Sequence, residues 1–317
     1  VLACVSCGAG AQTYSAYPAK PVRIVVGFSP GGIADVTVRL FAPKLSEVLG
    51  QQVVVENRVG GGGIIATEAV ARAPADGYTL LLTYSGLLTT GLPLYGKLPY
   101  DPIQDFAPVA MIADQPLLLT VRKDMPANNL PEFIAYARAN QKTMQYGSAG
   151  VGSATHLGCI LFNAAIGVDI THVPYRGGAP AMTDLIAGRI DYWCPFSTTA
   201  MPQIAGNTVK PIAIFALQRL AVLPELRTAH EQGLANFEAS TWNALFAPKG
   251  TPPTIVQKLH EATVQAVATP SSAERLRELG MSPAAPDRRS PEFLAKFVRD
   301  EIVKWEGPIK ASGLSVE

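Results

Sequence analysis

One order of elements occurs twice along this chain, and it constrains the fold more than any single motif does. In the first half, β-prone apolar runs at residues 22–28, 52–56 and 78–83 alternate with stretches of helical periodicity that begin at glycine-rich turns. A similar alternation recurs between residues 144 and 192. Strands that alternate with helices are typical of parallel sheets covered by helices. The pattern therefore predicts an α/β protein with two lobes of the same kind.

The two lobes are predicted to be joined by strands that pass from one to the other. A long apolar stretch at residues 106–121 is interpreted as a strand that leaves the first lobe and enters the second, and 240–248 as the returning strand. These crossings divide the chain into lobe one, 17–114 plus 217–317, and lobe two, 115–216. Because short crossings form a hinge, a ligand is expected in the cleft beneath them.

The composition argues against partners that are recruited by charge alone. The chain of 317 residues contains 26 Lys and Arg against 25 Asp and Glu, so it has no overall field that would attract nucleic acid. The four histidines are scattered, and no Cys-x-x-Cys pair occurs beyond residue 7. We therefore expect neither a metal site nor any other cofactor.

The first residues resemble the end of a secretory signal. The stretch VLACVSCGAGAQ is apolar and small, and AGA at residues 9–11 fits the A-x-A rule for signal cleavage. Residues 1–11 are therefore interpreted as a residual signal peptide. A lipidated Cys4 is the second interpretation, because VLAC at residues 1–4 loosely resembles a lipobox.

Export would leave Cys159 and Cys194 as the cysteines of the mature chain. An even pair of cysteines in an oxidising compartment is a candidate disulfide. Two buried thiols that pack as small apolar residues are the alternative. The sequence leaves both open.

The segment VVGFSPGGIAD, residues 25–35, contains the G-x-S-x-G pattern of a serine hydrolase, with Ser29 as the nucleophile. Pro30 argues against this interpretation, because the residue after the nucleophile must donate its backbone N–H to an oxyanion and proline has none. Proline also restrains Ser29 to extended geometry instead of the strained conformation of a nucleophile elbow. A serine hydrolase is therefore only an alternative function.

A second glycine-rich loop, GVGSAT at residues 150–155, nearly matches the dinucleotide-binding pattern G-x-G-x-x-G/A. Thr155 occupies the position where a small residue lets the helix approach the strand. The acidic residue expected after the next strand is absent, and Tyr175-Arg176 stands there instead. An NADP-dependent oxidoreductase is therefore the second alternative function.

Both loops place unpaired backbone N–H groups at the start of a helix, which is a favourable site for an anion. One loop in each lobe, facing across a cleft, would hold a carboxylate. The candidates in the first loop are Ser29, Pro30, Gly31, Gly32, Ile33, Ala34 and Asp35. The candidates in the second loop are Ser148, Gly150, Gly152, Ser153, Ala154, Thr155 and His156. Tight turns and helix capping without a ligand are the alternative role of such loops.

Further candidates lie near the carboxyl ends of predicted strands, where open α/β sheets bind ligands. They are Tyr84, Ser85, Arg176, Trp193 and Ser197. The aromatic rings would equally suit the core, and Arg176 would equally suit a role in bracing its loop. Asp35 is expected to complement the dipole of its helix or cap amides there.

Several stretches resemble the Bug (TctC-like) family of extracytoplasmic solute-binding receptors. They are YPAKPVRIVVGFSPGGIADVTVRL, VVVENRVGGGGIIATEAVARAPADGYTLL, YGSAGVGSATHLG, ITHVPYRGGAPAMTDLIAGRIDY and FAPKGTPPTIVQKL. The resemblance extends in order over nearly the whole mature chain, which makes it more specific than any one motif. It implies a type II periplasmic-binding-protein fold, in which each lobe is a mostly parallel sheet flanked by helices and the ligand cleft lies between the lobes.

The resemblance also implies a function. Such receptors are not enzymes: they bind small carboxylated solutes in the periplasm, and some deliver them to the membrane subunits of a tripartite tricarboxylate transporter. In the family, the loops that correspond to residues 29–35 and 148–156 hold a carboxylate mainly through backbone amides. Ile33 departs from the small or hydroxyl residue common at its position. Together with Tyr84 and Trp193, it favours a dicarboxylate or an aromatic carboxylate, bound by a monomer.

Overall fold

The computed structural model describes residues 17–28, 30 and 33–311, with the backbone alone for residues 33, 93, 95 and 311. The predicted residual signal peptide at residues 1–11, which includes Cys4, lies outside the described residues. Ser29, Gly31 and Gly32 of the first candidate loop also lie outside them. No helix in the described part of the chain is long and apolar enough to cross a membrane.

Strands and helices alternate along the chain as the sequence predicts. The strands are β1 (Val22–Val26), β2 (Val53–Asn57), β3 (Thr79–Tyr84), β4 (Phe106–Pro116), β5 (Leu118–Arg122), β6 (Gln145–Ser148), β7 (Thr171–Pro174), β8 (Tyr192–Trp193), β9 (Val209–Ile214), β10 (Ser240–Pro248) and β11 (Ser282–Pro283). The helices are α1 (Ile33–Leu49), α2 (Ile64–Ala71), α3 (Gly91–Tyr95), α4 (Leu130–Asn140), α5 (Ala154–Ile166), α6 (Gly178–Ile186), α7 (Ser197–Ala205), α8 (Pro253–Val267), α9 (Pro270–Glu278) and α10 (Pro291–Ala311). Short 3₁₀ turns lie at Gly61–Gly63 and Pro286–Arg288, and a π-helical turn lies at Gly86–Thr90.

These strands form two sheets. The first has six strands in the order β11-β4-β10-β3-β1-β2, and the second has five in the order β7-β6-β8-β5-β9. The predicted parallel units are present, because β1 is parallel to β2 and β3, and β6 is parallel to β7 and β8. The crossing strands β4, β5 and β10 form antiparallel pairs. Each sheet is therefore mixed. A parallel pair needs a crossover connection, usually a helix, whereas a strand that arrives directly from the other sheet can pair in the antiparallel direction.

Helices cover both faces of the first sheet, which explains why β1 is a continuous apolar run. Val22, Ile24 and Val26 are buried in a core that includes side chains of α1 and α8. Val25 is buried in another core, with side chains of α2 and α10. This double burial fixes the end of β1, where the first candidate loop begins.

Aromatic rings fill the core of the second sheet. Phe133 of α4, Phe162 of α5, Tyr192 of β8 and Phe215 are buried together. The ring centroids of Phe162 and Phe215 are 5.0 Å apart, a distance typical of favourable aromatic pairs. This core holds α5 against its sheet and thereby sets the position of the start of that helix.

The chain passes between the two sheets at β4–β5 and again at β10. Leu117 alone separates β4 of the first sheet from β5 of the second. On the return, Phe237 and Ala239 still pack in the core of the second sheet, directly before β10. The division into 17–114 plus 217–317 and 115–216 stays a prediction, and this packing favours a return boundary near residue 239.

Candidate functional site

A cavity of about 80 Å³ lies between the two sheets, next to the crossing strands. On one side it is bounded by the 3₁₀ turn before α2 and by the segment that follows β3. On the other side it is bounded by the start of α5. The lining residues are Gly62, Tyr84, Ser85, Gly86, Leu87, Thr90, Leu94, Leu117, Gly152, Ser153, Ala154, Leu157, Ser240 and Trp305. Those predicted from the sequence are Tyr84, Ser85, Gly152, Ser153 and Ala154.

The start of α5 is held in position by two glycines and a capping serine. Gly150 and Gly152 have φ angles of 131° and 73°, in a region that favours glycine. Ser153 is the N-cap, and its Oγ accepts a hydrogen bond from the His156 N–H at 3.3 Å. The N–H of Ala154, the first helical residue, has no acceptor within the helix. This donor and the positive end of the helix dipole therefore stand at the wall of the cavity.

The hydroxyl groups of this loop bond mainly to the loop itself. Ser148 Oγ accepts a hydrogen bond from the Gly150 N–H at 3.1 Å, and Thr155 Oγ1 accepts one from the Ala149 N–H at 3.0 Å. Ser153 Oγ donates to the Gly150 carbonyl at 2.7 Å. Ser148 and Thr155 are buried and do not line the cavity. These hydroxyl groups thus stabilise the loop backbone that faces the cavity.

Two stacked imidazoles support the same loop. The ring planes of His156 and His172 differ by 13°, and their centroids are 3.6 Å apart. His156 Nδ1 accepts a hydrogen bond from the Gly152 N–H at 3.1 Å, and His172 Nε2 lies 2.7 Å from Ser148 Oγ. Burial, and to a lesser extent His172, lowers the pKa of His156 to about 3, and burial lowers the pKa of His172 to about 4. Both rings are therefore neutral at pH 7, which His156 must be for Nδ1 to act as an acceptor.

On the side of the first sheet, the cavity begins where β3 ends. Tyr84 is the last residue of β3, Ser85 follows it, and the π-helical turn Gly86–Thr90 comes next. The ring centroids of Phe28 and Tyr84 are 5.0 Å apart, so Tyr84 connects the end of β1 to the cavity. Such π-helical turns are frequent at functional sites. The two candidates predicted at the end of this strand are thus brought to the cavity wall.

Asp35 is a support of the first loop. Its buried Oδ1 accepts hydrogen bonds from Arg39 Nε at 2.9 Å and from Asn57 Nδ2 at 2.8 Å. Asn57 Nδ2 also donates to the Phe28 carbonyl at 2.9 Å. Asp35 and Asn57 together tie α1 to β2 and to the end of β1. Asn57 is a positioning residue that the sequence analysis missed.

The remaining first-loop candidates are described in part. Pro30 is exposed, the backbone of Ile33 begins α1, and Ala34 is buried in the core of the first sheet. A ligand-binding role for Ser29, Gly31 and Gly32 stays a prediction.

Other predicted residues lie away from the cavity wall. Trp193 is buried in a separate core with side chains of α6. Ser197 is buried, and its Oγ donates to the Gly280 carbonyl at 2.8 Å, which links α7 to the segment that follows α9. Arg176 is exposed in the turn before α6. A ligand contact by any of these three residues stays a prediction, without support from their positions.

Several lining residues were not predicted. They are Gly62, Gly86, Leu87, Thr90, Leu94, Leu117, Leu157, Ser240 and Trp305. The glycine run at residues 60–63 was a usable signal for Gly62, because it opens a helix after a strand as the first loop does. Trp305 gave no such signal, since α10 reaches the cavity only through tertiary packing.

Cys159 and Cys194 are joined by a disulfide, with Cα atoms 5.7 Å apart. Cys159 lies in α5 and Cys194 directly follows β8. The sequence left open whether these cysteines form a disulfide or remain two buried thiols, and the structure contains the disulfide. It ties the helix that lines the cavity to the middle of the second sheet.

The short contact between Ser148 and His172 resembles the nucleophile and base of a hydrolase. Ser148 has no exposed surface, so a substrate cannot reach its Oγ. Among the described residues, no group of three or more His, Cys, Asp or Glu could hold a metal ion. The contact between Ser148 and His172 therefore stabilises the loop before α5.

Comparison with known proteins agrees with this geometry. The family described as "Tripartite tricarboxylate transporter family receptor" matches residues 37–314. MatC from Rhodopseudomonas palustris, solved with bound malate, is 38% identical, with a TM-score of 0.73 over 92% of this chain and 100% of MatC. Rpa4515 from R. palustris, solved with adipate, is 36% identical, with a TM-score of 0.76 over 95% of this chain and 100% of Rpa4515. The periplasmic binding protein BugD is 37% identical, with a TM-score of 0.72 over 95% of this chain and 100% of BugD.

The two mixed sheets match the architecture of these periplasmic binding proteins. The family consists of solute-binding receptors and not of enzymes, so the hydrolase and oxidoreductase alternatives are set aside. The family that the sequence resembles is confirmed. This chain belongs to the receptors of the tripartite tricarboxylate transporter family.

Proposed function

We propose that this protein captures a small carboxylated solute in the cavity between its two sheets. The observation that carries the proposal is the start of α5 at the cavity wall, where the Ala154 N–H has no acceptor within the helix. A carboxylate there would receive a charge-assisted hydrogen bond at the positive end of a helix dipole. No described lining residue is Lys, Arg, His, Asp or Glu. Backbone amides and hydroxyls are therefore the proposed recognition groups.

Relatives support a carboxylate as the ligand class. MatC was solved with malate and Rpa4515 with adipate, and both proteins resemble this chain over more than nine-tenths of its length. For this chain we propose a dicarboxylate or an aromatic carboxylate, as the sequence favours. The first loop, through Ser29, Gly31 and Gly32, is proposed to contact the same ligand from the other lobe.

Binding is proposed to shift the protein between an open and a closed arrangement of its lobes. A ligand that contacts both lobes stabilises the closed arrangement by the amount of its additional contacts there. We propose that the loaded receptor acts as a monomer in the periplasm and delivers the solute to the membrane subunits of a tripartite transporter. Membership of the receptor family supports this last step.

The proposal is tested by removing one N–H from the start of α5. Ala154 is the first helical residue, a position that accepts proline, and Ser153 already has the extended geometry that precedes proline, with φ −64° and ψ 156°. Ala154→Pro therefore keeps the helix but deletes the donor. Loss of a hydrogen bond to a charged group should weaken binding roughly 10- to 150-fold.

The measurement is isothermal titration calorimetry of the wild type and of Ala154→Pro with malate, adipate, benzoate and hexanoate. Ala154→Gly is the matched variant, because it keeps the N–H and should lose far less affinity than the proline variant. Equal affinities of Ala154→Pro and the wild type for a carboxylate would contradict the proposed site. Binding of none of the four acids by the wild type would contradict the proposed ligand class.

A further inference from the structure

A buried glycine lies in the interior of α5. Gly158 is the fifth residue of this helix, whose sequence is ATHLGCILFNAAI. Glycine in a helix interior is less favourable than alanine, because it loses more backbone freedom on folding and has no side chain to pack. The glycine is therefore best explained by what packs against it.

The side chain of Leu117 fills the space beside Gly158. A Cβ atom at position 158 would lie 2.1 Å from Leu117 Cδ1 and 3.6 Å from its Cγ. Because carbon atoms in contact are normally about 3.5–4.0 Å apart, an alanine at position 158 would force Leu117 Cδ1 to move by more than about 1 Å. Gly158 thus lets Leu117 pack directly on the backbone of α5.

The backbone of Leu117 is held from both sides. Its N–H donates to the Ala239 carbonyl at 3.0 Å, and its carbonyl accepts from the Phe215 N–H at 2.9 Å. Leu117 is 1% exposed and belongs to the core of the second sheet, together with Ala239 and Phe215. An added methyl group at position 158 would therefore displace the side chain of Leu117 and not its backbone.

The free space next to this side chain is the cavity. Leu117 lines it together with Ala154 and Leu157 of α5, whereas its other neighbours form a close-packed core. A displaced Cδ1 atom meets least resistance on the side of the cavity, whose volume is about 80 Å³. The side chain of Leu117 should therefore narrow the cavity if position 158 carries a Cβ atom.

From this packing we infer that Gly158 and Leu117 together determine the size of the acid that the cavity accepts. The inference rests on the proposed function. The carboxylate binds at the start of α5, and the carbon body of the ligand lies against Leu117. Gly158 acts through Leu117, because the missing side chain leaves room for Leu117 outside the cavity.

The test compares a smaller and a larger acid on Gly158→Ala. Titration calorimetry of the whole chain at pH 7.5 uses two pairs, succinate with adipate and benzoate with 4-methylbenzoate. The size ratio is the affinity for the larger acid divided by that for the smaller one. Because overpacking penalises the larger ligand more, the size ratio should fall about tenfold in Gly158→Ala. An unchanged size ratio would overturn the inference.

Leu117→Val removes the atom that the added methyl group would meet. In the double variant Gly158→Ala with Leu117→Val, the size ratio should return close to the wild-type value, which a general disturbance of α5 would not produce. Leu117→Val alone enlarges the cavity and should raise the size ratio about fourfold, or admit a larger acid that the wild type rejects. A size ratio that stays low in the double variant would overturn the inference.

Gly178→Ala is the matched control. A Cβ atom at position 178 would lie 3.0 Å from Trp193 Cη2, beside the second sheet but outside the cavity lining. This variant also adds a methyl group against a buried side chain, and its size ratio should equal that of the wild type. An equal fall of the size ratio in Gly178→Ala and Gly158→Ala would overturn the assignment to Gly158.

The outcomes separate this inference from the proposed function. Acids that bind the wild type and are lost in Ala154→Pro, with one size ratio in the wild type, Gly158→Ala and Leu117→Val, would overturn the inference alone. Failure of every acid to bind the wild type would overturn both. Circular dichroism checks that the variants fold, and Leu117→Val decides the inference if Gly158→Ala does not.

Discussion

His156 stabilises the conformation of the second loop, residues 148–156, through its imidazole ring. Its neutral Nδ1 accepts the Gly152 N–H, and its ring lies against that of His172. A proton on His156 would turn this acceptor into a donor and place a charge among buried groups. The conformation of the loop at the cavity wall therefore requires an uncharged His156 imidazole.

This arrangement predicts a loss of stability in acid. In the unfolded chain His156 takes up a proton below its ordinary pKa of 6.5, whereas in the native state its pKa is about 3. The unfolded state thus binds more protons as the pH falls from 6.5 towards 3, and the free energy of unfolding decreases. At pH 5 the protonation of His156 in the unfolded chain lowers the free energy of unfolding by about 2 kcal/mol.

The measurement is urea unfolding between pH 7.5 and pH 4.5. His156→Asn keeps an amide oxygen that can accept the Gly152 N–H but cannot titrate, so its stability should fall less steeply below pH 6.5. An unchanged slope in His156→Asn would show that His156 does not contribute to the loss of stability in acid.

Among the elements, α5 carries most of the candidate site. Ser153 caps its start, Phe162 anchors its middle in the aromatic core, and Cys159 fastens it to the residue after β8. These three restraints act on one short helix. Its first N–H groups therefore keep their direction without help from a ligand.

The disulfide should contribute substantially to stability. It closes a loop with a sequence separation of 35 residues, for which the loss of chain entropy in the unfolded state predicts roughly 3–4 kcal/mol. The double variant Cys159→Ala with Cys194→Ala should be less stable by that amount in urea unfolding, and the reduced wild type should behave like it. Alkylation of both cysteines in the denatured, unreduced protein would contradict the bridge.

The elements could be predicted from the sequence because their signals are local. The apolar run of β1, the helical periodicity of α1 and the glycines before α5 each depend on neighbouring residues only. The antiparallel pairing of β4 and β10 could not be predicted in this way, because it depends on how the chain returns from the other sheet. The same limit applies to the buried cluster in which Leu94, Leu157 and Trp305 meet from distant parts of the sequence.

The candidates whose positions do not support a ligand contact also have a physical explanation. Trp193 was predicted at a strand end, where ligands bind, but β8 has two residues and its tryptophan packs beneath α6. A strand end alone therefore does not predict a residue at the cavity wall. Two of the polar residues that line the cavity, Ser85 and Ser153, lie at a strand end and a helix end that also border the cleft.

At the scale of the whole molecule, the cavity lies between the two sheets, and elements of both sheets line it. Ser85 belongs to the side of the first sheet and Ala154 to that of the second, while α10 packs against both α3 and α5. A ligand in the cavity therefore contacts parts that belong to separate cores. By the proposed mechanism, a small anion bound there would stabilise a closed arrangement of the lobes.

The most direct test of carboxylate capture between the sheets is an NMR titration of protein labelled with ¹⁵N-alanine and ¹⁵N-serine, using the tightest binder from the calorimetric panel. The amide signals of Ala154 and Ser85, assigned with Ala154→Gly and Ser85→Thr, should shift together with the midpoint found by calorimetry. Ala262 of α8, outside the cavity, should stay unchanged. Saturation of the heat signal while both Ala154 and Ser85 remain unshifted would contradict the account.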